Sequence, residues 1–87
     1  MSKVFTFDGS KDSILMGCQE GTIVAIKTIK NEWNIGKVQS YFPPNEGVNK
    51  TNKYDVSIVV KGNERTSYDW VYDYDDFTQI KILEQPN

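Results

Sequence analysis

Two neighbouring stretches decide the fold: Gly21-Thr-Ile-Val-Ala-Ile-Lys-Thr-Ile-Lys30 and Trp33-Asn-Ile-Gly-Lys-Val-Gln-Ser-Tyr-Phe42. The first is rich in Ile, Val and Thr, with no glycine or proline inside residues 22–30, and predicts a long β-strand. Lys30-Asn31-Glu32 reads as a turn, and residues 33–42 as a second long strand. Gly36 inside that strand predicts a bulge or a sharp bend, and Pro43-Pro44 ends it, because proline cannot continue a ladder.

Downstream, residues 43–52 are polar and turn-rich and predict a mobile loop. Residues 53–61 predict a third strand, with Tyr54, Val56, Ile58 and Val60 on one face. Gly62-Asn63 predicts a two-residue hairpin turn, and residues 64–73 a fourth strand. Residues 74–77 read as a short turn or 3-10 segment, and residues 79–83 as a last strand with Ile80 and Ile82 on one side. Upstream, Val4-Phe5-Thr6-Phe7 reads as a short strand stopped by Asp8-Gly9. Residues 11–18 are open to two readings. One is a helical turn capped by Ser10, with Ile14, Leu15 and Cys18 on one side; the other is a strand over 13–18. Ile23, Val38, Val56, Ile58, Val71, Ile80 and Ile82 are the expected core.

Short sequential strands with tight turns predict an all-β domain. A small antiparallel barrel of about five strands suits them, since closure removes exposed edges. The chain of 87 residues has room for one hydrophobic core. The expected division is a single domain over 1–87, with the barrel over about 20–84 and an N-terminal extension over 1–19.

Composition narrows the chemistry. There is no histidine and one cysteine, Cys18, so the commonest general base, a zinc cluster and an internal disulfide are all excluded. Cys18 reads as a small buried apolar residue. No glycine-rich phosphate loop is present, and no base stands ready to activate a serine or threonine. The expectation is a protein that is not an enzyme, with no catalytic residue, no metal and no cofactor. No apolar run is long enough for a membrane span or a signal-peptide core, so an intracellular, non-secreted, membrane-free protein is expected. The sequon Asn49-Lys50-Thr51 then has no secretory context.

Net charge is −2, but unevenly spread: −1 over residues 1–20, +3 over 21–61 and −4 over 62–87. The lysines Lys27, Lys30, Lys37, Lys50, Lys53 and Lys61 are either a solvated face or a surface for an anionic partner. The acidic end is either solvated or turned toward a cationic partner.

The strand layout from Gly21 onward resembles the SH3-like barrels of the Tudor and chromo-barrel group. The residues that carry the likeness are Gly21-Thr-Ile-Val-Ala-Ile followed by Trp33-Asn-Ile-Gly-Lys-Val, then Lys53-Tyr-Asp-Val-Ser-Ile, then Tyr68-Asp69-Trp70-Val71 after Gly62-Asn63, and a closing turn and strand over 76–83. It spans about residues 20–84. The resemblance implies a barrel that binds a basic peptide, methylated on lysine or arginine, in an aromatic cage, with a nuclear location for a true reader and a cytoplasmic one otherwise. Cation–π attraction favours a poorly hydrated methylammonium in such a cage. Trp70 matches the chromo-barrel cage tryptophan, and Trp33 lies near the early aromatic of the second strand. The group's tyrosine there falls at Asn34, and its aromatics at the end of the third strand are here Val60 and Lys61.

The segment Tyr68-Asp-Trp-Val-Tyr-Asp-Tyr-Asp-Asp-Phe77 holds five of the eleven aromatics and no basic residue. Alternation puts Tyr68, Trp70 and Tyr72 on one face, with Tyr74 if the strand continues. That face is either core or an exposed platform. The family register favours the platform, with Val71 inward and Trp70 outward. The expected ligand-binding set is Trp33, Tyr68, Trp70, Tyr72, Tyr74 and Asp75, facing a basic protein or peptide. Two alternatives stay open: a small viral or bacterial inhibitor or adaptor binding a host protein or small nucleotide, and a barrel that binds nucleic acid through its lysines.

Overall fold

β1 (Ile23–Thr28) alternates strictly, with Val24, Ile26 and Thr28 buried and Ile23, Ala25 and Lys27 on the other face. One face of this strand therefore belongs to the core and the other does not. The structure, a computed structural model, describes residues 11–62 and 68–86. The strand expected over 4–7, its Asp8-Gly9 stop and the Ser10 cap lie outside the described residues. The elements are α1 (Lys11–Leu15), β1, β2 (Trp33–Phe42), β3 (Asp55–Val60), β4 (Trp70–Asp73), a 3-10 turn (Tyr74–Asp76) and β5 (Phe77–Glu84). Of the two readings of residues 11–18, the helical turn is the one formed.

The five strands make one antiparallel sheet in the order β4-β3-β2-β1-β5. Its edge strands, β4 and β5, are joined by the three-residue 3-10 turn. In a flat five-stranded sheet those edges would stand roughly 19 Å apart, four spacings of about 4.8 Å. Four Cα steps from Asp73 to Phe77 reach about 14 Å even when extended, and less in a 3-10 turn. The sheet must curl, and the result is a small all-β, barrel-like arrangement of five antiparallel strands, as expected from the strand pattern.

Leu15, Cys18, Val24, Ile26, Val38, Val56, Ile58, Phe77 and Ile80 form the core inside that curl. Val38, Val56, Ile58 and Ile80 are buried as expected, while Ile23 and Ile82 are half-buried. Val71 is a correction: it pairs with Val59 on the outer face and is 55% exposed. Burial of Ile58 on the core face sets the opposite register, because its partner is Tyr72.

The hairpin is a second correction. Val60 pairs with Trp70, a register that a two-residue turn at Gly62-Asn63 does not give. Asn63 and residues 64–67 of the expected fourth strand lie outside the described residues.

Gly36 supplies no bulge. The ladder β1–β2 runs through it in unbroken register, opposite Val24. A side chain there would put Cβ 2.8 Å from Ile58 Cγ2 and 2.8 Å from the Val59 carbonyl oxygen, so the glycine permits a close strand approach. The bulge falls at Gln39, between Val38 and Ser40, and it returns Tyr41 to the core side opposite Val56.

The polar loop after Pro43-Pro44 is knitted together. Asn49 is buried; its side-chain amide donates to the carbonyls of Phe42, Pro43 and Lys53, and its oxygen accepts from the Thr51 amide and hydroxyl. One side chain thereby satisfies backbone groups on both sides of the loop.

α1 seats Leu15 fully in the core and is fastened from three sides. Tyr41 Oη donates to the Leu15 carbonyl at 2.6 Å, Gln85 Nε2 to the Gly17 carbonyl at 3.0 Å, and Lys11 Nζ to the carbonyls of Tyr74 and Phe77 at 2.6 and 2.7 Å. Cys18 beneath it is buried, and burial pushes its thiol up to about 11, so it stays protonated at neutral pH.

Candidate functional site

β4 is short, lies at a sheet edge and carries the aromatic segment. Its pairing with β3 puts Tyr72 opposite buried Ile58 and Trp70 opposite Val60, so both aromatics stand on the core side of the sheet. Their environments differ along the strand. Tyr72 packs against the core, whereas Trp70 has passed its end and is 47% exposed. Tyr68 is 58% exposed, and its ring lies 5.3 Å from that of Trp70, tilted by 55°. The ladder grades from core to surface, and only its first two rings form a platform open to solvent.

Asp69, between those rings in sequence, accepts from the Gly62 amide at 2.9 Å and from Lys61 Nζ at 3.4 Å. The Gly62 hydrogen bond, helped by Lys61, holds its carboxyl below the usual range. Asp76 accepts from the Asp73 amide at 2.8 Å and caps the 3-10 turn. Asp75 is exposed and lies 3.5 Å from Lys53 Nζ.

Tyr74 serves a different neighbour. Its ring stacks edge-on to Phe77 at 6.4 Å, and its hydroxyl donates to Asp12 at 2.6 Å. Lys11 Nζ sits 3.9 Å from the centre of the Tyr74 ring and 5.0 Å from that of Phe77. Burial lowers the pKa of this ammonium, while Asp75 and Asp12 oppose the shift. An ammonium therefore already rests on aromatic faces at this corner, and it comes from the chain itself. Nothing in the local sequence around Lys11 marks it; the contacts join residues 63 and 66 positions apart.

Trp33 stands apart. It shares the outer face with Ile35 and Lys37, opposite in parity to the core-side Trp70, and Lys81 Nζ lies 4.9 Å from its ring centre. The six expected ligand-binding residues thus divide into an exposed pair (Tyr68 and Trp70), a core-packed ring (Tyr72), a corner engaged by Lys11 and Lys53 (Tyr74 and Asp75) and a tryptophan on the other face (Trp33).

Among the described residues, no group of three or more His, Cys, Asp or Glu is placed to hold a metal ion. No described helix is long and apolar enough to cross a membrane. In comparisons with protein families, curated proteins and solved structures, nothing matches this chain.

Proposed function

We propose that this protein is a non-catalytic interaction module that binds a basic peptide, methylated or not, along β4. The observation that carries this reading is the half-exposed Tyr68–Trp70 ring pair at the start of an edge strand whose intervening positions, Asp69 and Asp73, carry exposed carboxylates on the opposite face. Exposed aromatics of this type anchor partners because they bury large areas at low entropic cost. β4 pairs on one side with β3 and has no ladder partner on the other among the described residues. An extended peptide could add to that free edge by strand addition, its lysine or arginine side chains meeting the rings and carboxylates. The likeness to the Tudor and chromo-barrel group supports a peptide-binding role. The proposal does not rely on a shared cage of Trp33 and Trp70, which occupy opposite faces.

The test is a titration of lysine-rich peptides, unmethylated and trimethylated, against the wild type, Trp70→Ala and Tyr68→Ala. Binding that weakens roughly tenfold or more in each variant, with an unchanged melting transition, is the expected result. Equal affinity in wild type and variants, or no binding of either peptide form, sinks the reading.

A further inference from the structure

The corner built on Lys11 fixes where the chain ahead of α1 meets the sheet. Lys11 Nζ donates to the Tyr74 and Phe77 carbonyls at 2.6 and 2.7 Å, and Asp12 accepts from the Tyr74 hydroxyl at 2.6 Å. Tyr74 directly follows Asp73, the last residue of β4. The start of α1 is therefore held beside the C-terminal end of β4, and residues 1–10, outside the described residues, join the domain at that point.

Of the two edge strands, β5 already has α1 and Gly17 alongside it, tied by Lys11 at Phe77 and by Gln85 at Gly17. Among the described residues β4 pairs with β3 alone. An unpaired edge presents backbone donors and acceptors ready for another strand. The sequence ahead of Lys11 carries a segment of matching length. Val4-Phe5-Thr6-Phe7 alternates over four residues, as many as β4 itself has, and Asp8-Gly9-Ser10 supplies a turn-rich tether. Four Cα steps from Phe7 to Lys11 reach about 14 Å, against a strand spacing of about 4.8 Å.

We propose that residues 4–7 add to the open edge of β4 as a parallel strand, and that a peptide binding there must displace them. The tether fixes the direction. Phe7 is the end tied near Asp73, so the segment runs back toward Trp70, parallel to β4. Phe5 and Phe7 share one face of it; on the core-side row they continue the rings of Trp70 and Tyr72, and a slip of one residue turns them outward beside Val71 and Asp73. Charge makes no selection, since Lys3 and Asp8 flank the segment with opposite signs. The tether replaces it, because a short linker gives an effective concentration on the order of millimolar. The displacement rests on the peptide-binding reading of β4 and supplies its regulation; the strand addition stands without it.

Amide hydrogen exchange on the full chain reads the edge directly. Alternate amides of β4 face β3, and the others report the added ladder. These edge amides should be protected in the wild type. Consecutive amides of residues 4–7 point to opposite sides, so of Phe5→Pro and Thr6→Pro one removes a donor aimed at β4. In that variant the edge amides should exchange roughly tenfold faster or more, while those of β1 and β2 keep their protection. Should a proline disturb β1 and β2, Phe7→Asp takes its place. The inference is overturned if the edge amides are unprotected in the wild type, or if every variant keeps the wild-type protection. Protection that survives the variants and rises with protein concentration places a second copy on the edge and overturns it too. A lysine-rich peptide should bind the faster-exchanging variant several-fold more tightly than the wild type, and equal affinity overturns the displacement. A peptide that binds neither protein defeats the peptide-binding reading, and exchange alone then decides the strand addition.

Discussion

Lys11 grips Tyr74 twice: its Nζ donates to the Tyr74 carbonyl at 2.6 Å and lies 3.9 Å from the centre of the same residue's ring. A residue ahead of the sheet thereby clamps the 3-10 turn that joins the sheet's two edges. Replacing it with methionine keeps the stem and removes the charge. Lys11→Met should cost about 1–2 kcal/mol, the worth of a partly desolvated cation–π contact and its hydrogen bonds. Chemical denaturation of the two proteins checks this, together with faster amide exchange in residues 11–16 of the variant.

Alkaline pH tests the other half of that corner. The hydrogen bond to the Asp12 carboxylate, then burial, pushes the Tyr74 phenol from 10 up to about 12. The folded state holds this proton more tightly than the unfolded chain does. Its contribution to stability is therefore complete below about pH 10 and is lost as pH rises through about 12. Tyr41, raised to about 12 chiefly by burial, adds to the same decline. Lys11, lowered by burial, works in the opposite direction, so comparison with a variant isolates the phenol. Tyr74→Phe should start from a lower melting temperature and fall less steeply over this range; equal slopes in both proteins would refute the assignment.

Two aromatics of the same segment, Phe77 and Trp70, should behave differently when truncated. Phe77 is wholly buried, and Phe77→Ala should cost about 3–5 kcal/mol, enough to unfold much of so small a domain. Trp70 is half-exposed beyond the core, and Trp70→Ala should cost less than about 1.5 kcal/mol. Paired urea melts decide the contrast.

Gly36→Val should destabilise by about 1–3 kcal/mol, because its Cβ would stand 2.8 Å from both Ile58 Cγ2 and the Val59 carbonyl oxygen. The backbone there needs no left-handed conformation, so the loss is one of space. Combining it with Ile58→Val, which clears a methyl group, should recover part of the stability.

Asn49→Ala should cost about 1–3 kcal/mol by orphaning the carbonyls of Phe42, Pro43 and Lys53. The same burial closes the sequon: the folded domain, offered to a glycosylating enzyme, should remain unmodified at Asn49, and mass spectrometry would reveal any failure.

The strands were legible because alternation of apolar and polar residues is a local signal, and β1 and β2 follow it closely. The β3–β4 register was not. Gly62-Asn63 has the chemistry of a tight turn, yet burial of Ile58 and Tyr72 on one face selects the pairing, and that choice is tertiary. Phe77 was hidden by Asp75-Asp76 before it, which read as a turn; the turn is real, but it ends by aiming Phe77 into the core. In the candidate site, the pairing of Tyr68 with Trp70 follows from their spacing. The engagement of Tyr74 by Lys11 joins residues far apart in sequence, and no local pattern encodes it. The residues that share the outer face are equally non-local, since they meet only when the registers of the five strands are aligned.

The ladder between β1 and β5 joins Ile23 to Glu84, nearly the full span of the described chain. During synthesis β1 emerges long before its second partner, and Val24 and Ile26 wait beside an unpaired edge with no Phe77 to cover them. Folding of such a non-local sheet belongs at the slow end for its size. A nascent chain stalled before residue 77 would present an aliphatic strand edge of the kind that chaperones hold and aggregates recruit.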